Sequence, residues 1–142
     1  SERTMREIYL RGFEICVREA KPVSVMSSYN LLNDVHTSER KGLTDILRHE
    51  FGFDGILMTD WIMDSGTKPK NALHPVPEGW RIALAGENLV MPGSKGDVKS
   101  ILDGLKSGKL KRQQLEINAS QTISVIQRMI EAQDQSKLMN QD

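Results

Sequence analysis

From Met5 the apolar or small residues fall at Ile8, Tyr9, Gly12, Phe13, Cys16, Val17 and Ala20. Steps of three and four residues put them on one face of an α-helix. The opposite face carries Arg6, Glu7, Arg11, Glu14, Arg18 and Glu19, and the Glu7–Arg11 and Glu14–Arg18 spacings suit a solvated helical surface. Lys21-Pro22 ends this helix, because proline disfavours the helical conformation of the residue before it. Residues 23–29 alternate in part and predict a strand, and residues 30–34 predict a loop. Thr37 or Ser38 is placed to cap a second helix whose buried stripe is Leu43, Ile46, Leu47 and Phe51.

After Gly52 and Gly55 comes the apolar run Ile56 to Thr59, which stops abruptly at Asp60. A strand covered on both faces need not alternate, so this run predicts a strand of a parallel sheet. Residues 62–77, with Gly66, Pro69, Pro75 and Pro77, predict a long loop. Pro77 suits the first turn of a helix running to about Ala85 and stopped by Gly86. Asn88 to Met91 predicts a third short strand, and Val98, Ile101, Leu102 and Leu105 mark a helix closed by Gly108. A last helix from about Lys111 to Ala132 is expected to bury Leu115, Ala119, Thr122, Ile126 and Met129, with residues 133–142 as a fraying polar tail.

The alternation of helix and strand predicts an α/β fold of right-handed βαβ units on a parallel sheet. About three strands are too few to close a (β/α)8 barrel, which needs around 250 residues. The chain is therefore either a small open sheet or the last part of a barrel, and pattern alone does not choose. Its 142 residues are 38% apolar, enough for a core. Nineteen basic and nineteen acidic residues cancel, so bulk charge recruits neither nucleic acid nor an anionic membrane. The lone Cys16 reads as a small buried hydrophobe. His36, His49 and His74 lack metal-ligand spacing, so neither metal nor cofactor is expected. Ser1 to Arg6 shows no signal-peptide h-region, although the chain lacks an initiator methionine and begins as if cut from something longer.

In parallel α/β folds the reactive groups sit where strands end and loops begin, at the carboxyl side of the sheet. Those ends read Tyr29-Asn30, Asp60-Trp61 and Met91-Pro92. A carboxylate directly after an apolar strand is costly unless it is hydrogen-bonded or used, and an indole beside it offers a platform for the flat face of a sugar ring. Asp60 is thus the candidate catalytic carboxylate, and the plainer alternative is a loop-bracing aspartate. Asp54 lies at the wrong end of its strand, Asp64 in a Gly/Pro loop and Asp34 in a turn-like dipeptide. There is no phosphate-binding glycine loop and no Gly-x-Ser-x-Gly elbow. Asn118-Ala119-Ser120 fits a glycosylation sequon but falls inside a helical pattern, where chance explains it.

The stretches Ser1–Leu10, Ala20–Asn30, Thr44–Arg48, Phe51–Trp61 and Ala83–Gly93 resemble, in the same order, segments of glycoside hydrolase family 3, the β-glucosidase and β-xylosidase group. The likeness runs to about residue 130. It implies that residues 1–132 are part of that family's barrel domain, the C-terminal portion of its barrel. It further implies that Asp60 is the nucleophile of a retaining, exo-acting β-glycosidase of β-glucosidase type, with Trp61, Tyr29 and Met26 contacting the sugar and Asn30 bracing the loop. A second carboxyl group about 5–5.5 Å away would act as acid and then base. No residue here matches that group, nor the family's Lys-His pair and sugar-binding arginine. The remaining barrel and an α/β sandwich domain are implied as partners in a parent protein, and the isolated chain is expected to be inactive. Asn33-Asp34 stands where the family has Asn-Gly, and Trp61-Ile62 where it has Trp-Gly. The rival reading is a non-catalytic α/β module that binds or self-associates through its open sheet edges, giving a homo-oligomer. A related β-N-acetylhexosaminidase would carry a His-Asp dyad that is not evident.

Overall fold

The computed structural model describes residues 1–61 and 73–139. Asp64 and most of the expected long loop lie outside these residues. Three strands, β1 (Ser24–Met26), β4 (Ile56–Trp61) and β5 (Leu89–Met91), form one parallel sheet in the order β1-β4-β5. Ser24, Val25 and Met26 pair with Ile56, Leu57 and Met58, and Met58 pairs in turn with Leu89. Helices α2 (Arg11–Ala20), α3 (Lys41–Asp45), α4 (Gly79–Ala85), α5 (Lys95–Lys106) and α6 (Arg112–Met139) connect and cover the strands. A short α1 (Glu2–Thr4) precedes them. No described helix is long and apolar enough to cross a membrane.

The first helix is not the regular one that its periodicity predicts. Residues Met5–Tyr9 form a π-helical turn, in which the Leu10 amide reaches the Met5 carbonyl at 2.8 Å. The extra residue rotates the following helix. Val17 is buried and Met5 and Leu10 pack beside it, while Ile8, Tyr9 and Phe13 are exposed. Cys16, expected to be buried, is exposed as well. Glu14 pairs with Arg18 at 2.9 Å as its spacing suggested, but Arg11 also turns to Glu14 and Glu7 pairs with Arg3. A second π turn over Ile46–Glu50 extends α3 and brings Ile46 and Phe51 to the sheet. There Val17, Ile46, Phe51, Phe53 and Leu57 make one buried cluster.

Residues 30–34 are more than a loop. β2 (Leu31–Leu32) and β3 (Val35–His36) form a two-stranded antiparallel hairpin. Its two-residue turn, Asn33-Asp34, has φ of 49° and 62°. Positive φ at both central positions is the primed turn whose twist matches a hairpin, and it is held here without glycine. Thr37 and Ser38 do not cap α3; Thr37 begins a 3-10 turn, and the residue before α3 is Arg40, which makes no side-chain cap.

The remaining stops are as expected. Gly86 ends α4 at φ 97°, and Gly108 follows α5 at φ 72°. α6 runs to Met139, beyond the expected end near Ala132 and into the supposed tail. Its buried line is also different, because Asn118 and Val125 face inward while Ile126 and Met129 are exposed. Asn118 Nδ2 donates to the carbonyls of Ala83 at 2.9 Å and Glu87 at 3.0 Å, closing the end of α4. This is the asparagine of the apparent sequon, and at 5% exposure it is a structural cap rather than a glycan acceptor. Asn118→Ala takes the side-chain donor from the Glu87 carbonyl and leaves the Ala83 carbonyl with the Gly86 amide alone, and is expected to cost about 1–2 kcal/mol, read as a lower urea midpoint with an unchanged slope.

Asn88 ties the other end of the same region. Its Oδ1 accepts from the Leu57 amide at 2.7 Å and from Arg48 at 2.6 Å. Its Nδ2 donates to the Asn118 carbonyl and the Gln121 side chain, each at 2.9 Å. Arg48 in turn lies 5.3 Å over the Phe53 ring. One asparagine thus joins β4, β5, α6 and the Ile46–Glu50 turn, and fixes the floor on which the strand ends stand.

Candidate active site

Along β4, Leu57 and Thr59 are buried under the helices while Ile56, Met58 and Asp60 are partly open. The alternation of a strand places these last three on one face, so Asp60 emerges at the carboxyl end of the sheet. The strand runs on through Asp60 to Trp61, two residues beyond the apolar run. Asp60 Oδ1 accepts the Trp61 amide at 2.7 Å, and the Tyr29 hydroxyl donates to the Trp61 carbonyl. Partial desolvation, and the nearby Asp60 carboxylate, hold the Tyr29 phenol above its usual range. Tyr29, Asp60 and Trp61 therefore form one contact group. Met26 stands on the neighbouring strand at the level of Met58. Met26, Tyr29 and Trp61 are 54%, 52% and 53% exposed, so all three are available to a ligand.

The loop that presents Tyr29 is tied at its base. Ser28 N–H donates to the Thr37 hydroxyl at 3.2 Å, and that hydroxyl donates to the Ser28 carbonyl. Asn30 accepts from the Ser28 hydroxyl, and its carbonyl meets the Thr37 amide at 3.4 Å. Asn30 and Thr37 are braces, in keeping with the expectation for Asn30. Ser27 N–H reaches the Met58 carbonyl at 2.8 Å, continuing the β1–β4 ladder up to the site.

Two histidines serve the segment entering α4. His36 Nε2 lies 3.0 Å from the His74 carbonyl, and Arg81 joins His74 Nε2 at 2.6 Å and Glu78 at 2.7 Å. The Glu78 amide donates to Glu39 at 2.8 Å, and burial raises the Glu39 carboxyl above its usual range. None of this cross-bracing was legible as a motif, because its members are far apart in sequence. Among the described residues no group of three or more His, Cys, Asp or Glu is placed to hold a metal ion. Asp54 lies at the opposite end of β4 from Asp60, paired with Arg128 of α6.

One feature of the site has no counterpart in the sequence pattern. β4 and β5 slip against each other, from Met58↔Leu89 to Trp61↔Met91. At that slip the Met91 amide bonds to the Thr59 hydroxyl at 2.8 Å, and Thr59 is fully buried.

Parallel βαβ units, with an aspartate and an indole at the carboxyl end of the central strand, are what a piece of a (β/α)8 barrel presents. The chain belongs to glycosyl hydrolase family 3, whose N-terminal domain its residues 1–125 match. It is 37% identical over 130 residues to a β-glucosidase of Rhizobium radiobacter, covering 90% of this chain and 14% of that protein. It is 41% identical over 109 residues to an exo-α-(1→6)-L-arabinopyranosidase of Bifidobacterium longum, covering 74% and 13% respectively. Among solved structures, β-glucosidase 3B of Thermotoga neapolitana in complex with α-D-glucose aligns with a TM-score of 0.74 at 36% identity, over 89% of this chain and 17% of that one. The Kluyveromyces marxianus β-glucosidase in complex with glucose aligns with a TM-score of 0.75 at 29% identity, over 92% and 15%. The chain thus spans roughly one seventh of the length of the relatives it matches, 14% in the first case.

Proposed function

We propose that this chain supplies the nucleophile of a retaining, exo-acting β-glycosidase that releases terminal β-linked glucose or a closely related pyranose. The observation that carries the reading is the placement of Asp60. It stands at the strand mouth beside a half-exposed indole, with its carboxylate accepting the Trp61 amide and with the Tyr29 phenol close by. The amide donor fixes the carboxylate at the mouth of the strand, where a nucleophile must stand. Asp60 would attack the anomeric carbon and form a glycosyl ester, while a second carboxyl protonates the departing oxygen and then activates water. Trp61 offers its face to the ring, and Tyr29 and Met26 flank the sugar bound in the first subsite. Residues 1–132 are read as barrel and 133–142 as a polar extension. The β-glucosidase and arabinopyranosidase relatives support a pyranoside substrate.

The acid/base falls to a group outside this chain. The purified 142-residue chain is therefore expected to leave 4-nitrophenyl β-glucoside intact. Turnover that disappears in Asp60→Asn would contradict that division of labour. Stereochemistry tests the mechanism: with the segment grafted into the matching stretch of the Rhizobium radiobacter β-glucosidase, proton NMR should show β-glucose as the first product. The α anomer appearing first would rule out a glycosyl ester on Asp60.

A second reading rests on exposed apolar side chains. Ile8 and Tyr9 in the first π turn, Phe13 on α2, and Ile126, Met129 and Ile130 on α6 are each about half exposed or more. Such faces suit self-association of the isolated chain. Light scattering decides this, because a stable monomer at high concentration would remove it.

A further inference from the structure

We propose that Thr59 is a positioning residue, whose buried hydroxyl holds the slip between β4 and β5 that turns Asp60 out at the mouth of the sheet. The proposal rests on the reading of Asp60 as nucleophile and goes one layer beneath it. From the Met58↔Leu89 pair to the Trp61↔Met91 pair, β4 advances three residues and β5 two. The additional residue on β4 is a bulge, a device that bends a strand and re-aims a side chain. A bulge leaves a ladder group without its backbone partner. Here the Met91 amide is held by the Thr59 hydroxyl at 2.8 Å.

Thr59 has no exposed surface, so its hydroxyl makes this bond away from solvent. Without the hydroxyl, the bond that holds the slip is gone and the strands can shift back towards continuous register. That shift moves Asp60 and Trp61 along β4 and pulls both from Tyr29. The present arrangement depends on their placement. Trp61 accepts the Tyr29 phenol through its carbonyl and donates its amide to Asp60 at 2.7 Å.

The phenol is itself the reporter. Tyr9 and Tyr29 are the two tyrosines of the chain, and Tyr9 is 70% exposed, so a Tyr9→Phe background leaves one phenol to titrate. Its ionisation, followed by ultraviolet absorbance in the full 142-residue chain, reads how near the Asp60 carboxylate lies. Asp60→Asn should lower the Tyr29 midpoint part of the way, since desolvation remains. Thr59→Val, which keeps the shape and removes the acceptor, should lower it too, and Thr59→Val with Asp60→Asn should add little to either. Thr59→Ser keeps the hydroxyl and should leave the midpoint where it was.

A folded Thr59→Val chain with an unchanged Tyr29 midpoint would overturn the proposal. Should valine prevent folding, the serine variant still decides, because a fallen midpoint in Thr59→Ser contradicts the role of the hydroxyl. The titration needs no sugar. It can fail while Asp60 remains the nucleophile, and it can succeed where the nucleophile assignment fails.

Discussion

Asp60→Asn, introduced into a β-glucosidase carrying this segment, is expected to lower kcat by on the order of 10⁴-fold with KM little changed. Asparagine has the size of aspartate and can still accept the Trp61 amide through its carbonyl oxygen, so the loop that presents Tyr29 should stay in place. What disappears is the anionic oxygen able to form an ester with the anomeric carbon. A loss of this size with intact sugar binding separates a reacting group from a bracing one, since a bracing aspartate would weaken binding and stability together. Asp60→Ala adds a sharper arm. It opens space on the face of the sugar that the carboxylate occupied, and a small anion such as azide should restore turnover of an activated glucoside as the α-glycosyl azide. Residual activity within tenfold of the parent in Asp60→Asn would remove Asp60 from the chemistry.

The second large effect concerns stability. Glu87, 4% exposed, is packed near Ser27 and Arg48. Burial pushes its carboxyl up to about 8, against the opposing pulls of Ser27 and Arg48. In the unfolded chain a glutamate ionises near 4.3. Between these values the native state keeps a proton that the unfolded chain has released. Stability is therefore complete below the unfolded pKa and declines as pH rises towards 8, by up to about 1.4 kcal/mol per pH unit. The whole window is worth several kcal/mol. Glu87→Gln cannot ionise, so its urea midpoint should hold steady across this range and exceed the parent's at pH 8.5, with the advantage shrinking towards pH 4.5. Parallel pH profiles for the parent and the variant would show that Glu87 is not the source of the slope.

Much of this architecture was readable because it depends on local signals. The unbroken apolar run from Ile56 to Thr59 is what a strand covered on both faces requires, and β4 occupies it. Gly86 and Gly108 stop helices at positive φ, which a glycine after an apolar period announces. Asp60 was legible for a related reason, since a charge directly after such a run must be used or satisfied.

The misses have equally physical causes. A π turn leaves no mark in the spacing of residues, so the first helix turned Ile8, Tyr9 and Phe13 outward against expectation. The hairpin strands β2 and β3 have two residues each, too short for alternation to show. Their Asn33-Asp34 turn also lacks the glycine that signals the primed type. The buried line of α6 escaped because it runs through a polar residue, Asn118, whereas an amphipathic reading follows apolar ones. The Thr59–Met91 bond joins strands about thirty positions apart and has no local precursor. Sequence thus singled out Asp60 as the candidate, and tertiary contacts determine how it is aimed.

The most direct trial of the account is covalent capture. A 2-deoxy-2-fluoro-β-glucoside with a dinitrophenyl leaving group needs little acid assistance to react, and the fluorine slows breakdown of the ester. Incubated with the grafted enzyme and followed by mass spectrometry of peptides, it should add one fluoroglucosyl unit to the peptide holding Asp60, and none in Asp60→Asn. A label on any other carboxylate, or equal labelling of the asparagine variant, would mean that the sugar is attacked by a group elsewhere.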